Sequence, residues 1–242
     1  MKTFITLLII NIFFIQIGFG QSNAEKDQLF QEYGISVDFL NNALFGNTQS
    51  DFSYKVMEIK ELKSSQDATP YFQTIEKQYL PQTGKWKVLS IDNPSRNDNI
   101  MENEIMISSK KTFLKEEHID LIQEDAQQMI FQFHFDANDL PKDQKHLKAF
   151  EGKLILNKKS KTLDKIEVYA TSGYNYAVVS RVNFFNATQV YKKDPKTGIP
   201  LLQKQRVKSE TRTFGKSVIV DETVHYYDYK LEIQRENKVS IL

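Results

Sequence analysis

The sequence predicts a mainly β (α+β) chain: eight to eleven antiparallel strands in a single sheet large enough to curl, with one or two helices against it. Three observations predict it. Beyond residue 50, apolar and aromatic residues alternate with polar ones over most of the chain, the period of strands with one buried face. Short turn-forming segments separate these runs, as in neighbouring antiparallel strands. Only residues 24–45 and 111–125 space their apolar positions three and four apart, as helices do.

Taken in order, residues 1–20 carry Lys2 and then an apolar run from Phe4 to Ile17, broken by Thr6, Asn11 and Gln16 and closed by Gly18-Phe19-Gly20. This is the pattern of a secretory signal peptide with cleavage after Gly20. No later run is long and apolar enough to span a bilayer, so a periplasmic or secreted protein without a transmembrane segment is expected. No linker or repeat divides the remainder, and 21–242 is expected to fold as one domain.

In the first helix Leu29, Tyr33, Val37, Leu40 and Leu44 share a face, and Gly34 is a place where it can split in two. A second, shorter helix is expected over 111–125, with Phe113, Leu114, Leu121 and Ile122 on one face. Strands are expected over 52–62, 71–79 and 85–91, the last two joined by the turn Gln82-Thr83-Gly84. Residues 92–99 are strongly polar and form a surface loop. The clearest alternation follows: Met129, Phe131, Phe133 and Phe135 point one way, with Gln128, Gln132 and His134 opposite. After a loop over 136–146, residues 152–157 and 163–171 flank Lys158-Lys159-Ser160-Lys161 as a hairpin. Long strands over 176–192, 201–214 and 217–234 complete the set, separated by Asp194-Pro195-Lys196-Thr197-Gly198 and by Gly215.

Charge and composition exclude several functions. The 32 basic and 31 acidic side chains become balanced once Lys2 is removed, and no large basic block exists, so nucleic acid is not an expected partner. Lys158, Lys159 and Lys161 read as a solvated hairpin tip. The absence of cysteine removes thiolate metal sites, iron–sulfur clusters and thiol nucleophiles. No nucleophile elbow, phosphate loop or dinucleotide fingerprint is present. No cofactor, metal or catalytic residue is therefore assigned.

The remaining candidates for chemistry have plain explanations. His134 and Asp136 fall on one side of a strand, yet a metal would need a third ligand; an exposed histidine explains the position. Glu116, Glu117, His118 and Asp120 read as a solvated helix face. Asn186-Ala187-Thr188 matches the N-glycosylation pattern by chance. The aromatic loading, 17 Phe and 11 Tyr, suits either a filled core or a cavity between sheet and helices.

The order of pieces resembles the LolA/LolB-like superfamily of envelope proteins over roughly residues 50–235. The carriers of that resemblance are Gly84-Lys85-Trp86-Lys87-Val88-Leu89, the Phe-rich strand before Leu140-Pro141, the hairpin begun by Gly152-Lys153-Leu154-Ile155-Leu156-Asn157, and Gly198-Ile199-Pro200 before two long strands ending Tyr226-Tyr227-Asp228-Tyr229. The resemblance implies an unclosed, curved β-barrel wrapped over helices, enclosing an apolar cavity for lipid or lipoprotein acyl chains. Carriage of that kind needs no catalytic residue. The expected ligand is hydrophobic, and the cavity-lining candidates are Met129, Phe131, Phe133, Phe135, Leu154, Leu156, Ile166 and Val168. The competing expectation is an envelope interaction or assembly protein with a self-filled core.

Overall fold

The computed structural model describes residues 23–45, 51–65, 69–93, 114–177 and 180–232. The signal peptide, residues 94–99 of the polar loop and the start of the second expected helix lie outside the described residues.

The first helical stretch forms two helices, α1 (Asn23–Glu32) and α2 (Val37–Phe45). The break falls at Gly34, whose φ of +71° is open to glycine and strained for other residues. The Gly34 and Ile35 amides donate back to Gln31 O and Phe30 O, closing α1, and Ser36 Oγ accepts from the Phe39 amide to start α2. Phe30, Tyr33, Leu40 and Ala43 are buried; Leu29, Val37 and Leu44 pack at the margin of the same core.

The second expected helix is corrected by the structure. Glu116–His118 is a 3-10 turn and Ile119–Glu124 is a strand, β4. The apolar spacing of three and four covers too few residues to commit the chain, while Ile119 and Leu121 also alternate. They turn inward opposite Phe133 and Phe131, and strand pairing prevails. Ile122 is left exposed beside a bulge.

The remaining strands are β1 (Phe52–Ser64), β2 (Tyr71–Leu80), β3 (Lys85–Asp92), β5 (Gln128–His134), β6 (Phe150–Asn157), β7 (Thr162–Ala170), β8 (Tyr174–Ala177), β9 (Ser180–Lys193), β10 (Pro200–Thr213) and β11 (Lys216–Leu231). They build one antiparallel sheet in the order β3-β2-β1-β11-β10-β9-β7-β6-β5-β4, with β8 folded back on β9. β3 and β4 are the two ends of that order, so the sheet is not closed into a barrel. β1 runs beside β11 from Phe52↔Leu231 to Ser64↔Val218, which sets the first and last strands among the described residues side by side within the sheet. A 3-10 segment, Lys142–Ala149, starts after Pro141 within the loop expected over 136–146 and runs three residues past it.

Opposed residues in neighbouring strands share a face, so cross-strand rows describe the inner surface. One row reads Leu121, Phe131, Leu154, Ile166, Gln189, Gln205, Val224, Glu58, Ile75; the next reads Ile119, Phe133, Gly152, Val168, Ala187, Val207, Glu222, Lys60, Gln73. Both start apolar under the helices; the first meets glutamines at β9 and β10, and the second becomes polar at β11 with Glu222. The β6–β7 hairpin tip is tied down as well as solvated: Asn157 Oδ1 accepts from the Lys159 and Ser160 amides, while Lys158 pairs with Glu124 and Lys161 with Glu32 of α1.

Candidate functional site: an apolar cavity on the inner face

Where the two rows cross β7, β9 and β10, the sheet is not covered completely. A cavity of about 210 Å³, partly open to solvent, remains there. Its floor is Ile166 and Val168 from β7, Phe185, Ala187 and Gln189 from β9, and Gln205 and Val207 from β10. Leu44 at the end of α2, Leu147 of the 3-10 segment, Phe135 and Phe150 form its walls. Ala187 sits mid-floor between Val168 and Val207, and its small side chain leaves the space.

Of the residues named from sequence, Phe135, Ile166 and Val168 line this cavity. Met129, Phe131, Phe133, Leu154 and Leu156 are buried in the adjoining core, where Phe30 of α1 meets Phe131 edge-on with ring centroids 5.2 Å apart. Sequence reading missed Leu44, Leu147, Phe150, Phe185, Ala187 and Val207. The alternation Phe185, Ala187, Gln189, Tyr191 was a usable signal for the β9 part of the floor.

Gln189 and Gln205 are the polar members of this lining. Tyr191 Oη donates to Gln189 Oε1 at 2.9 Å, and Gln189 Nε2 donates to Ala43 O at 3.0 Å, tying α2 to the sheet. Burial pushes the Tyr191 phenol well above its ordinary value, so it stays a neutral donor. One strand beyond Val207, the inner face carries Glu222, then Glu58 and Lys60 of β1 and Lys77 of β2. Lys77 Nζ donates to both Glu58 oxygens at 2.9 Å. Lys60 Nζ stands 4.0 Å from Glu222. Burial raises the Glu222 carboxyl above the usual range, and Lys60 opposes the shift.

The histidines and acids named from sequence are elsewhere. His134 is exposed, with its ring centroid 5.0 Å from that of His118. Asp136 Oδ1 accepts from the Asn138 amide at 2.7 Å and so serves its own turn. Glu117, His118 and Asp139 bring one ligand atom each within 4.8 Å of one another. Lys115 Nζ, 2.6 Å from Asp139 and 3.7 Å from Glu117, already supplies the positive charge there. Lys115 and then His118 hold the Asp139 carboxyl below its usual range.

Glu116 meets Asp27 of α1. The shared hydrogen bond, burial and then the Asp27 charge raise the Glu116 carboxyl from 4.5 to about 7, against the pull of Lys26. The folded state therefore holds this proton more tightly than the unfolded chain. The resulting stabilisation is present below pH 4.5 and is lost as pH rises toward 7. Thermal melts at pH 5 and pH 8 should show a lower midpoint at the higher pH, and Glu116→Gln should flatten the difference. An unchanged difference in the variant would place its origin elsewhere.

No family model matches the chain, and no curated protein matches it. Among solved structures it is similar to a LolA superfamily protein from Nitrosomonas europaea, at 11% identity over 84% of this chain and 92% of that one, with a TM-score of 0.33. It is also similar to a putative outer membrane lipoprotein-sorting protein domain from Vibrio parahaemolyticus, at 12% identity over 83% and 94%, with a TM-score of 0.31. A DUF1329 family protein from Desulfovibrio piger aligns at 12% identity over 86% and 94%, with a TM-score of 0.30. For the site, the chain's own geometry is what counts.

Proposed function

We propose that the protein is a non-catalytic binding or carrier protein for apolar chains, lipid or lipoprotein acyl groups, working in the periplasm or outside the cell after loss of residues 1–20. The observation that carries this reading is the cavity over β7, β9 and β10. It is partly open and lined by nine apolar residues and two glutamines, Gln189 and Gln205. No helix among the described residues is long and apolar enough to cross a membrane.

The cavity's size limits what enters. At about 210 Å³ it is below the roughly 300–1,000 Å³ typical of sites that enclose a drug-sized molecule. It suits the end of one acyl chain rather than a whole two-chain lipid. Burying roughly six methylenes at about 0.8 kcal/mol each contributes about 5 kcal/mol before the cost of association. Such binding is reversible, which a protein that releases its cargo requires.

Native mass spectrometry of the protein purified from its own envelope tests the reading. A stoichiometric acylated species that dissociates on activation is the expected result. An empty protein that also fails to take up N-phenyl-1-naphthylamine would overturn it in favour of an interaction protein with a self-filled core. In a direct test, Ala187→Phe fills the floor between Val168 and Val207. It should weaken binding of the naphthylamine probe by more than about tenfold, while the circular dichroism of the sheet is retained.

A further inference from the structure

We propose that the cavity serves a single-chain amphiphile with a zwitterionic head, its tail over β7, β9 and β10 and its head between Glu222 and Lys60. The proposal rests on the apolar-chain reading above and adds the class of head group. The row Val168, Ala187, Val207, Glu222, Lys60 places the tail floor and the two charges on one continuous line across five strands. Strands lie about 4.8 Å apart, so Glu222 stands roughly 5 Å and Lys60 roughly 10 Å beyond the last floor residue. A polar head directly attached to a short buried tail reaches both.

Glu222 and Lys60 share this end of the inner face with a second ion pair, Glu58 and Lys77. Glu222 alternates with Val220 and Val224 on the inner face of β11, where a third valine would pack without desolvating a carboxylate. Glu58 is fully engaged, since Lys77 reaches both its oxygens at 2.9 Å. The Lys60–Glu222 pair is different: at 4.0 Å it is too long for a hydrogen bond, though the two side chains are only 39% and 31% exposed. A half-buried pair of this kind gives the fold little. An ammonium at Glu222 and an anionic oxygen at Lys60 would replace one loose contact by two charge-assisted hydrogen bonds. A fatty acid engages Lys60 alone and a cationic amphiphile Glu222 alone; a zwitterion engages both.

The test is competition against the uncharged probe N-phenyl-1-naphthylamine on the purified protein. The competitors are N-dodecylglycine, a zwitterion whose ammonium is attached to the tail and whose carboxylate lies beyond it, and the anions dodecyl phosphate and dodecanoic acid. The zwitterion is expected to compete better than either anion, on the order of tenfold. Glu222→Gln and Lys60→Gln should each reduce that preference to about twofold or less while holding the probe as the unaltered protein does. Equal competition by all three amphiphiles in the unaltered protein would overturn the head-group assignment and leave the apolar cavity intact. Failure of the unaltered protein to bind the probe or any amphiphile would overturn the cavity reading itself. The comparison among amphiphiles needs no variant, so a substitution that disturbs folding does not protect the proposal.

Discussion

Replacing Gly152 with alanine is expected to cost about 3 kcal/mol of folding free energy, at the upper end for overpacking a core. Gly152 lies on the inner face of β6, opposed by Phe133 of β5 and Val168 of β7. A Cβ there would stand 2.1 Å from Phe133 Cζ, 2.5 Å from Cε1 and 2.6 Å from the Glu167 carbonyl oxygen. Neither neighbour has room to yield. Phe133 is fully buried with its ring edge-on to Phe135 at 5.9 Å, and the Glu167 oxygen belongs to the backbone of β7. Urea denaturation should show a lower midpoint for Gly152→Ala. The companion variant Phe133→Leu identifies the cause. Alone it loses packing and costs about 1–2 kcal/mol; beside Gly152→Ala it should cost less, with a coupling of about 1 kcal/mol or more. Rescue is incomplete because the Glu167 carbonyl remains. Strictly additive losses would show that glycine at this position does not serve the ring.

Gly152 also illustrates what sequence can and cannot reveal here. In the run Gly152-Lys153-Leu154-Ile155-Leu156 it reads as the small residue at a strand's start, and nothing nearby in sequence announces the phenylalanine that fills its space from nineteen positions earlier. The strand itself is legible because a short apolar run, Leu154-Ile155-Leu156, ends at the turn residues Asn157 to Lys161, and β5 because Met129, Phe131 and Phe133 recur at a period of two. The helix pair is legible because five apolar residues keep helical spacing around a glycine. The 114–124 stretch was misread where a few apolar residues satisfy both periods and only the β5 partner decides. The cavity depends on where a covering is incomplete. Leu44, Leu147 and Phe150 come from separate elements, and no local pattern brings them together. Alternation gave half of the answer by marking Phe135, Ile166 and Val168 as inward. It could not distinguish them from Phe131 or Leu154, which face inward equally but under α1. The inner charges were concealed for the opposite reason: Glu58 and Lys60 look like the solvent-facing half of an alternating strand.

Asn41→Leu is expected to cost about 3 kcal/mol and to weaken probe binding in the protein that remains folded. Asn41, buried on α2, holds the segment entering β4 by both backbone groups of Leu114. Its Nδ2 donates to Leu114 O at 2.9 Å and its Oδ1 accepts from the Leu114 amide at 2.9 Å. Leucine has similar bulk but leaves both groups without these partners around a residue that is itself fully buried, at about 1–3 kcal/mol for each group. α1 uses the same segment: buried Lys26 donates to Glu116 O and Ile119 O, each at 2.9 Å. Both helices are thus fixed to residues 114–119 by a polar side chain as well as by their apolar faces. The consequence for binding follows from position. Leu44, three residues after Asn41, forms part of the cavity wall, and the carbonyl of Ala43 takes the Gln189 hydrogen bond from the floor. Loosening α2 at Asn41 therefore moves a wall, whereas Ala187→Phe fills the floor without touching the helix. Asn41→Asp provides the control. Its neutral acid form can both accept from the Leu114 amide and donate to the Leu114 carbonyl, so its stability should rise as pH falls, which leucine cannot reproduce. A leucine variant within about 1 kcal/mol of the unaltered protein would mean that the apolar face of α2 holds it unaided.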